Sequence, residues 1–265
     1  MHCVDTLRMR PAMQPAQPTI VFLHGALNDH SVWSKQSDAL AARGYAVLAP
    51  DLPGHGAASP GPALASVEAM ADWLLARLDA GGIGRALLVG HSMGSLIALE
   101  AARREPARFA GLALLGTAWP MKVSDALLAS ALEDQDAAIG MVAQWSHMPL
   151  PASDDREEEP SLQERSRQLM ARIAAEGPPG LLHTDLAACK AYAGGAEAIA
   201  ALDCPVLFIL GRLDRMTPPR AAAALTAAAR HGTVVEVDAG HAMMAEQPGA
   251  VLDALAAFAA ICAQG

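Results

Sequence analysis

The sequence predicts an α/β fold: a doubly wound, mostly parallel sheet with helices on both faces. Three observations carry that prediction. Short apolar runs recur along the chain, amphipathic segments separate them, and the runs lack the period-two alternation of half-exposed strands. Strand and helix in strict succession favour parallel crossovers.

The apolar runs are Thr19–Leu23, Ala46–Ala49, Ala86–Val89, Leu112–Leu115, Val206–Leu210 and Thr233–Val237. Each ends in turn residues or polar residues, as buried strands do. Between the second and third, Ser66 is the expected N-cap of a helix. That helix places Val67, Met70, Ala71, Leu74, Leu75 and Leu78 on one face. The final helix aligns Val251, Leu255, Phe258 and Cys262 in the same way. From about residue 119 to 200 the alternation lapses, and helical stretches appear without a convincing strand. This segment reads as a helical insertion over the carboxyl edge of the sheet, where open α/β sheets hold ligands. The expected division is a core of residues 1–118 and 201–265, with residues 119–200 inserted as a cap. Within the insertion, the acidic run Asp154 to Glu159 reads as a solvated face or loop.

Composition narrows the function. Of 265 residues, 52% are hydrophobic and 18% charged, enough for a core that buries roughly three quarters of the unfolded surface. A net charge of -9 argues against a nucleic-acid surface, which needs clustered Lys and Arg. Cys3, Cys189, Cys204 and Cys262 are scattered, with no C-x-x-C pair, so the expectation is reduced thiols and no metal site. No signal-peptide pattern opens the sequence and no apolar stretch is long enough to span a bilayer. The reading is a cytoplasmic protein that acts on a small molecule, with no membrane insertion and no cofactor.

The chemistry starts at Gly90-His91-Ser92-Met93-Gly94, a G-x-S-x-G pattern set between a strand and a helix. A tight strand-to-helix turn there exposes Ser92 as a nucleophile and places a helix amino terminus beneath the reacting centre. An ordinary N-cap serine is the structural alternative. A serine hydroxyl needs a base to take its proton. Of nine histidines, His241 follows the last strand directly and projects from the carboxyl edge. His183 falls in the insertion, His231 closes a helix, and His24, His55 and His91 belong to turns. The imidazole needs a carboxylate to fix its tautomer, and Asp214 follows the penultimate strand. Asp203 precedes its strand and lies at the wrong edge, and Asp238 reads as a strand-end residue. Backbone N–H groups of Ala26, after the His24-Gly25 turn, and of Met93 complete an oxyanion hole. Leu27, Trp33, Trp119, Met121, Trp145, Met148, Met216, Met243 and Met244 are candidate pocket walls, among which Met216 and Met243 stand beside catalytic candidates. Arg212 and Arg215 flank Asp214, and neither position compels a role in substrate recognition.

Taken together, the His24-Gly25 turn, the loop Asp51-Leu52-Pro53-Gly54-His55-Gly56, the G-H-S-M-G elbow and the order Ser92, Asp214, His241 resemble the α/β-hydrolase superfamily from about Thr19 onward. The stretch His24 to Trp33 is similar to its lidded branch of esterases, lactonases and carbon–carbon hydrolases. The resemblance implies a helical cap and a serine hydrolase, most simply a carboxylic-ester hydrolase working through an acyl-enzyme. Lactone opening, carbon–carbon cleavage and cofactor-free perhydrolysis use the same triad and stand as alternatives, with a ligand-binding protein on the same fold as the non-enzymatic one. Serine at the elbow argues against the dehalogenase and epoxide hydrolase relatives, which attack with a carboxylate. Two departures stand out. Only 18 residues precede Thr19, so the first two antiparallel strands of that fold are expected to be short or partly absent, and Ser95 replaces a frequent glycine, an expected change of packing only.

Overall fold

A computed structural model describes residues 17–59, 61–148 and 160–264. The chain runs β1 (Thr19–Leu23), α1 (Ser34–Ala42), β2 (Val47–Leu48), α2 (Val67–Ala80), β3 (Ala86–His91), α3 (Met93–Arg104) and β4 (Phe109–Leu115). Among the described residues five helices follow: α4 (Asp125–Glu133), α5 (Gln135–Ser146), α6 (Leu162–Glu176), α7 (Leu181–Ala191) and α8 (Gly195–Ala201). The sheet then resumes with β5 (Val206–Gly211), α9 (Ala223–Ala228), β6 (Gly232–Val237), α10 (Met243–Glu246) and α11 (Pro248–Cys262).

Among the described residues six strands lie in the order β2-β1-β3-β4-β5-β6, and each of these pairings is parallel. The expected sheet is therefore present, with each anticipated strand in its place. Its register explains why the sequence shows no alternation. In β1, Val21 and Leu23 enter one core with Leu88, Leu112 and the buried face of α2. Ile20 and Phe22 enter the other, against Leu40 of α1 and Val251, Leu255 and Phe258 of α11. Successive side chains point to opposite faces, and both faces are covered. The edges depart from that rule: β2 is half-buried, and β6 is exposed along most of its length. Among the described residues both have a sheet neighbour on one side only.

Local signals act as anticipated at α2. Ser66 accepts a hydrogen bond from Ala69 N, and the six apolar residues anticipated on its inner face are all buried. Between β4 and β5 the described residues form helices and no strand. Leu127, Ile139, Ile173, Leu181 and Leu182 give this insertion a core of its own, which also takes in Leu27 from the sheet side. The acidic run Asp154 to Glu159, Cys3 and the segment expected to hold any earlier strands lie outside the described residues. Among those described, Cys189, Cys204 and Cys262 are free thiols.

Strand order sets the position of the site. The chain leaves β1 for β2 on one side, then returns to β3 on the other, so the connections diverge between β1 and β3. Crevices at such switch points, at the carboxyl ends of strands, are where α/β sheets bind ligands. Register aligns Leu23 with Gly90 and His91 with Leu115, bringing the loops after β1, β3 and β4 to one edge.

Candidate active site

Ser92 occupies the turn between β3 and α3 with φ 52° and ψ -117°, a left-handed-side conformation that a non-glycine residue holds at a cost of about 1–3 kcal/mol. The turn can be this tight because its flanks lack side chains. A Cβ on Gly90 would stand 2.2 Å from Gly94 O, and one on Gly94 would stand 2.3 Å from Leu23 O. Both obstacles are backbone and cannot step aside. Ser92 N donates to Leu115 O at 2.9 Å, which pins the turn to β4. The Ser92 hydroxyl makes no capping bond to α3, so it does not act as an N-cap. Ser95 does more than fill space: its hydroxyl lies 2.5 Å from Ser92 O and 2.8 Å from Thr117 Oγ1, linking the turn to the loop after β4.

Asp214 and His241 come from the loops after β5 and β6, and they meet. His241 Nδ1 lies 2.8 Å from Asp214 Oδ2, and both side chains are buried. Asp214 Oδ1 accepts the N–H groups of Met216 and Thr217, each at 2.8 Å. Burial pushes the Asp214 carboxyl up, but the facing His241 ring and these donors outweigh it and hold its pKa at about 2. A carboxylate on Nδ1 keeps that nitrogen protonated and leaves Nε2 as the basic atom. Thr217, which the sequence reading passed over, lies 2.8 Å from Asp214 Oδ2, 2.9 Å from Gly116 O and 3.1 Å from His241 Nδ1. An acid followed three residues later by threonine, closing a turn on its own carboxylate, was the available signal.

Two further contacts bracket the His241 ring. Gly116 lies behind it with φ +53°, and a Cβ there would stand 3.0 Å from the ring's Cε1 and Nδ1. His91 packs beside it, ring centroids 4.5 Å apart. Because a carbonyl only accepts, His91 Nε2 carries a hydrogen and donates it to His241 O at 2.9 Å. Burial, followed by the charge of the neighbouring His241, lowers the His91 pKa to about 3, so this ring is neutral.

Ser92 and His241 meet as walls of one cavity of about 680 Å³. No hydrogen bond joins them among the described residues. Ala26 also lines the cavity, while the Met93 side chain is wholly buried beneath it. Of the anticipated pocket walls, Met121, Trp145, Met216 and Met244 line the cavity. The others do not. Leu27 turns into the core of the insertion, and Trp33 packs on Phe22 at 4.9 Å beneath the site. Trp119 lies against Gly195. Met148 reaches Glu246 through its backbone N–H, and Met243 is fully buried in the core while its neighbour Met244 takes the wall position. The apolar side chains that sequence reading did not single out come mostly from the inserted helices: Leu127, Val142, Leu169, Met170, Leu182 and Leu186. Arg215 lines the cavity, whereas Arg212 turns outward to Glu236 and Asp238. Among the described residues no group of three His, Cys, Asp or Glu side chains could hold a metal ion, and no helix is long and apolar enough to cross a membrane.

A family model described as the α/β hydrolase fold matches residues 18–248. The chain is 31% identical over 252 residues to a 2-succinyl-6-hydroxy-2,4-cyclohexadiene-1-carboxylate synthase of Klebsiella pneumoniae, covering 92% of this chain and 94% of that one. Among solved structures it is similar to a thermophilic esterase from Thermogutta terrifontis, with a TM-score of 0.78 and 26% identity over 92% of this chain and 90% of the other. It is similar in the same degree to the enol-lactonase from Burkholderia xenovorans, with a TM-score of 0.78 and 25% identity over 93% and 92% of the two chains. Two curated relatives, an acetyltransferase component of an acetoin cleaving system from Cupriavidus necator (38% identical) and an epoxide hydrolase from Caballeronia sordidicola (40% identical), match over 47% and 36% of this chain, and the matches span only 32% and 30% of those proteins.

Proposed function

We propose that this chain, which belongs to the α/β hydrolase fold family, is a serine hydrolase that cleaves a small, mainly apolar carboxylic ester. The observation that carries the reading is the 2.8 Å contact between Asp214 and His241 on a cavity whose wall includes Ser92. His241 Nε2 takes the proton from Ser92 as its oxygen attacks the ester carbonyl. The charge that forms on the carbonyl oxygen is met by the N–H groups of Ala26 and Met93, and each such donor is worth about 3–4 kcal/mol in the transition state. His241 returns the proton to the departing alcohol. Water, activated by the same ring, then frees the acid and Ser92. Asp214 stays ionised throughout, in keeping with its lowered pKa, and stabilises the cationic ring.

The apolar walls from the insertion support an apolar acyl or alcohol group. Lactone opening is the second reading, favoured by the likeness to an enol-lactonase; it follows the same steps with acid and alcohol joined in one ring. The test is a panel of p-nitrophenyl esters, lactones and dienone acids, run beside Ser92→Ala and a fluorophosphonate probe. Turnover of esters and labelling of the native protein, both abolished by Ser92→Ala, are expected. Labelling that persists in the variant removes Ser92 as the nucleophile.

A further inference from the structure

Two carboxylates that the reaction does not consume join the inserted helices to the two loops that do the chemistry. Asp185, on α7, is wholly buried. Its Oδ2 accepts Leu27 N–H at 2.9 Å across 158 residues of sequence and lies 2.9 Å from His55 Nε2. Leu27 follows Ala26 directly and has φ 48°, a conformation that persists in a non-glycine residue only where its surroundings impose it. His55 Nδ1 faces Pro53 O at 3.2 Å, so both ring nitrogens of His55 point at acceptors, an arrangement that favours the protonated ring. Burial works against that charge, yet the Asp185 hydrogen bond and charge leave the His55 pKa raised. Next to it, His24 accepts Leu52 N–H at Nε2 and donates from Nδ1 to Gly25 O, so it is neutral.

The second carboxylate belongs to Glu246, at the end of α10. One oxygen accepts Gly240 N–H at 2.6 Å, the residue before His241; the other accepts Met148 N–H at 2.7 Å, just past α5. A direct backbone bond runs beside it, from Ala242 N to Ser146 O at 2.8 Å. The insertion is thus held to the loop after β1 through Asp185 and to the loop after β6 through Glu246.

We propose that Asp185 and Glu246 are positioning residues. Asp185 sets the Ala26–Leu27 backbone so that the Ala26 N–H faces the developing oxyanion, and Glu246 sets the Gly240–Ala242 backbone that aims His241. The inserted helices are by this account part of the catalytic scaffold, not a cover that swings free of it. The inference rests on the assignment of Ala26 and His241 under Proposed function. A donor misplaced by a fraction of an ångström is felt in the transition state, where the oxyanion forms, more than in the ground state.

The experiment measures kcat and KM on a p-nitrophenyl ester for Asp185→Ala, Asp185→Asn, Glu246→Ala and Glu246→Gln, with thermal melts and amide hydrogen exchange at Leu27 and Gly240. Asp185→Ala is expected to lower kcat by about 10- to 100-fold with KM within about threefold. Asp185→Asn keeps an acceptor for Leu27 N–H and is expected to recover most of that loss even where its melting temperature stays low. Glu246→Ala is expected to raise exchange at Gly240 and move the pH profile of kcat/KM, with Glu246→Gln in between. A kcat that stays at the wild-type level while the melting temperature falls overturns the proposal, as does unchanged exchange at both amides. Failure of the serine reading looks different: the wild-type protein itself then resists the fluorophosphonate probe.

Discussion

His91 donates its Nε2 hydrogen to the main-chain carbonyl of His241 at 2.9 Å. The residue before Ser92 thereby holds the backbone of the residue expected to serve Ser92 as base, and the two loops share one geometry. Replacing His91 with Ala removes that bond and opens space beside the His241 ring. We expect kcat to fall by about tenfold or more with the fold intact, checked by steady-state kinetics beside circular dichroism.

Asp214→Asn tests the orienting role proposed for the acid. The amide can present its N–H to His241 Nδ1, which favours the tautomer with the proton on Nε2 and so removes the base. The expected loss in kcat is about 10⁴-fold, with little change in melting temperature beyond the lost hydrogen bond. A loss under tenfold would mean that another group orients His241.

Gly116→Ala probes the back of the imidazole. The added methyl would stand 3.0 Å from the ring, and the backbone there has φ +53°, so strain and steric pressure act together. Activity should drop by more than tenfold, and stability by about 1–2 kcal/mol on chemical denaturation. Full activity would show that the ring has room to retreat.

The buried histidines give the pH dependence. His24 is lowered from 6.5 to about 4, by burial first and then by the charge of His55, and His91 is lowered to about 3. Both are neutral bases in the folded state, so below pH 6.5 the unfolded chain binds protons that the native one does not. Stability should therefore fall as pH drops from about 6.5 towards 4, by on the order of 3 kcal/mol for each ring. His55 acts in the opposite sense, since its raised pKa contributes stability that is lost as pH rises through that value. Urea midpoints measured between pH 4 and 8 should be highest near neutrality; a flat profile down to pH 4 would contradict the neutral assignment of His24 and His91.

Pocket depth is open to a direct check. Leu182 lies on the cavity wall contributed by α7, and Leu182→Trp adds bulk there. The ester chain length with the highest kcat/KM should shorten, while acetate esters keep their rates.

The sheet was legible because each buried strand carries an apolar run with turn residues after it, and β1 matches its run residue for residue. β4 begins three residues before its run, at Phe109, because Gly111 interrupts the pattern. That glycine makes room for a neighbour: a Cβ there would stand 2.5 Å from Cys262 Sγ, which would have to shift. A contact with the far end of the chain has no local trace. Asp214 and His241 could be read because each follows a strand and so emerges at the same edge. Direction around a helical turn could not. Met243 and Met244 are adjacent, yet about 100° of rotation sends one into the core and leaves the other on the cavity wall. Asp185 shows no motif, since its meaning depends on Leu27, whose backbone it meets only in the folded chain.

Among the described residues only Leu27 and Ser92 hold positive φ without being glycine. Each adjoins one of the two N–H groups expected to face the oxyanion. A selection for thermal robustness alone would replace Ser92 with glycine and gain from the relaxed backbone, whereas Leu27, fully buried in the core of the insertion, would lose more in packing than its backbone gains. A laboratory evolution scored by melting temperature is thus expected to erode this protein at the turn where its nucleophile is expected to reside, and Ser92→Gly should melt above Ser92→Ala, though neither is expected to turn over substrate.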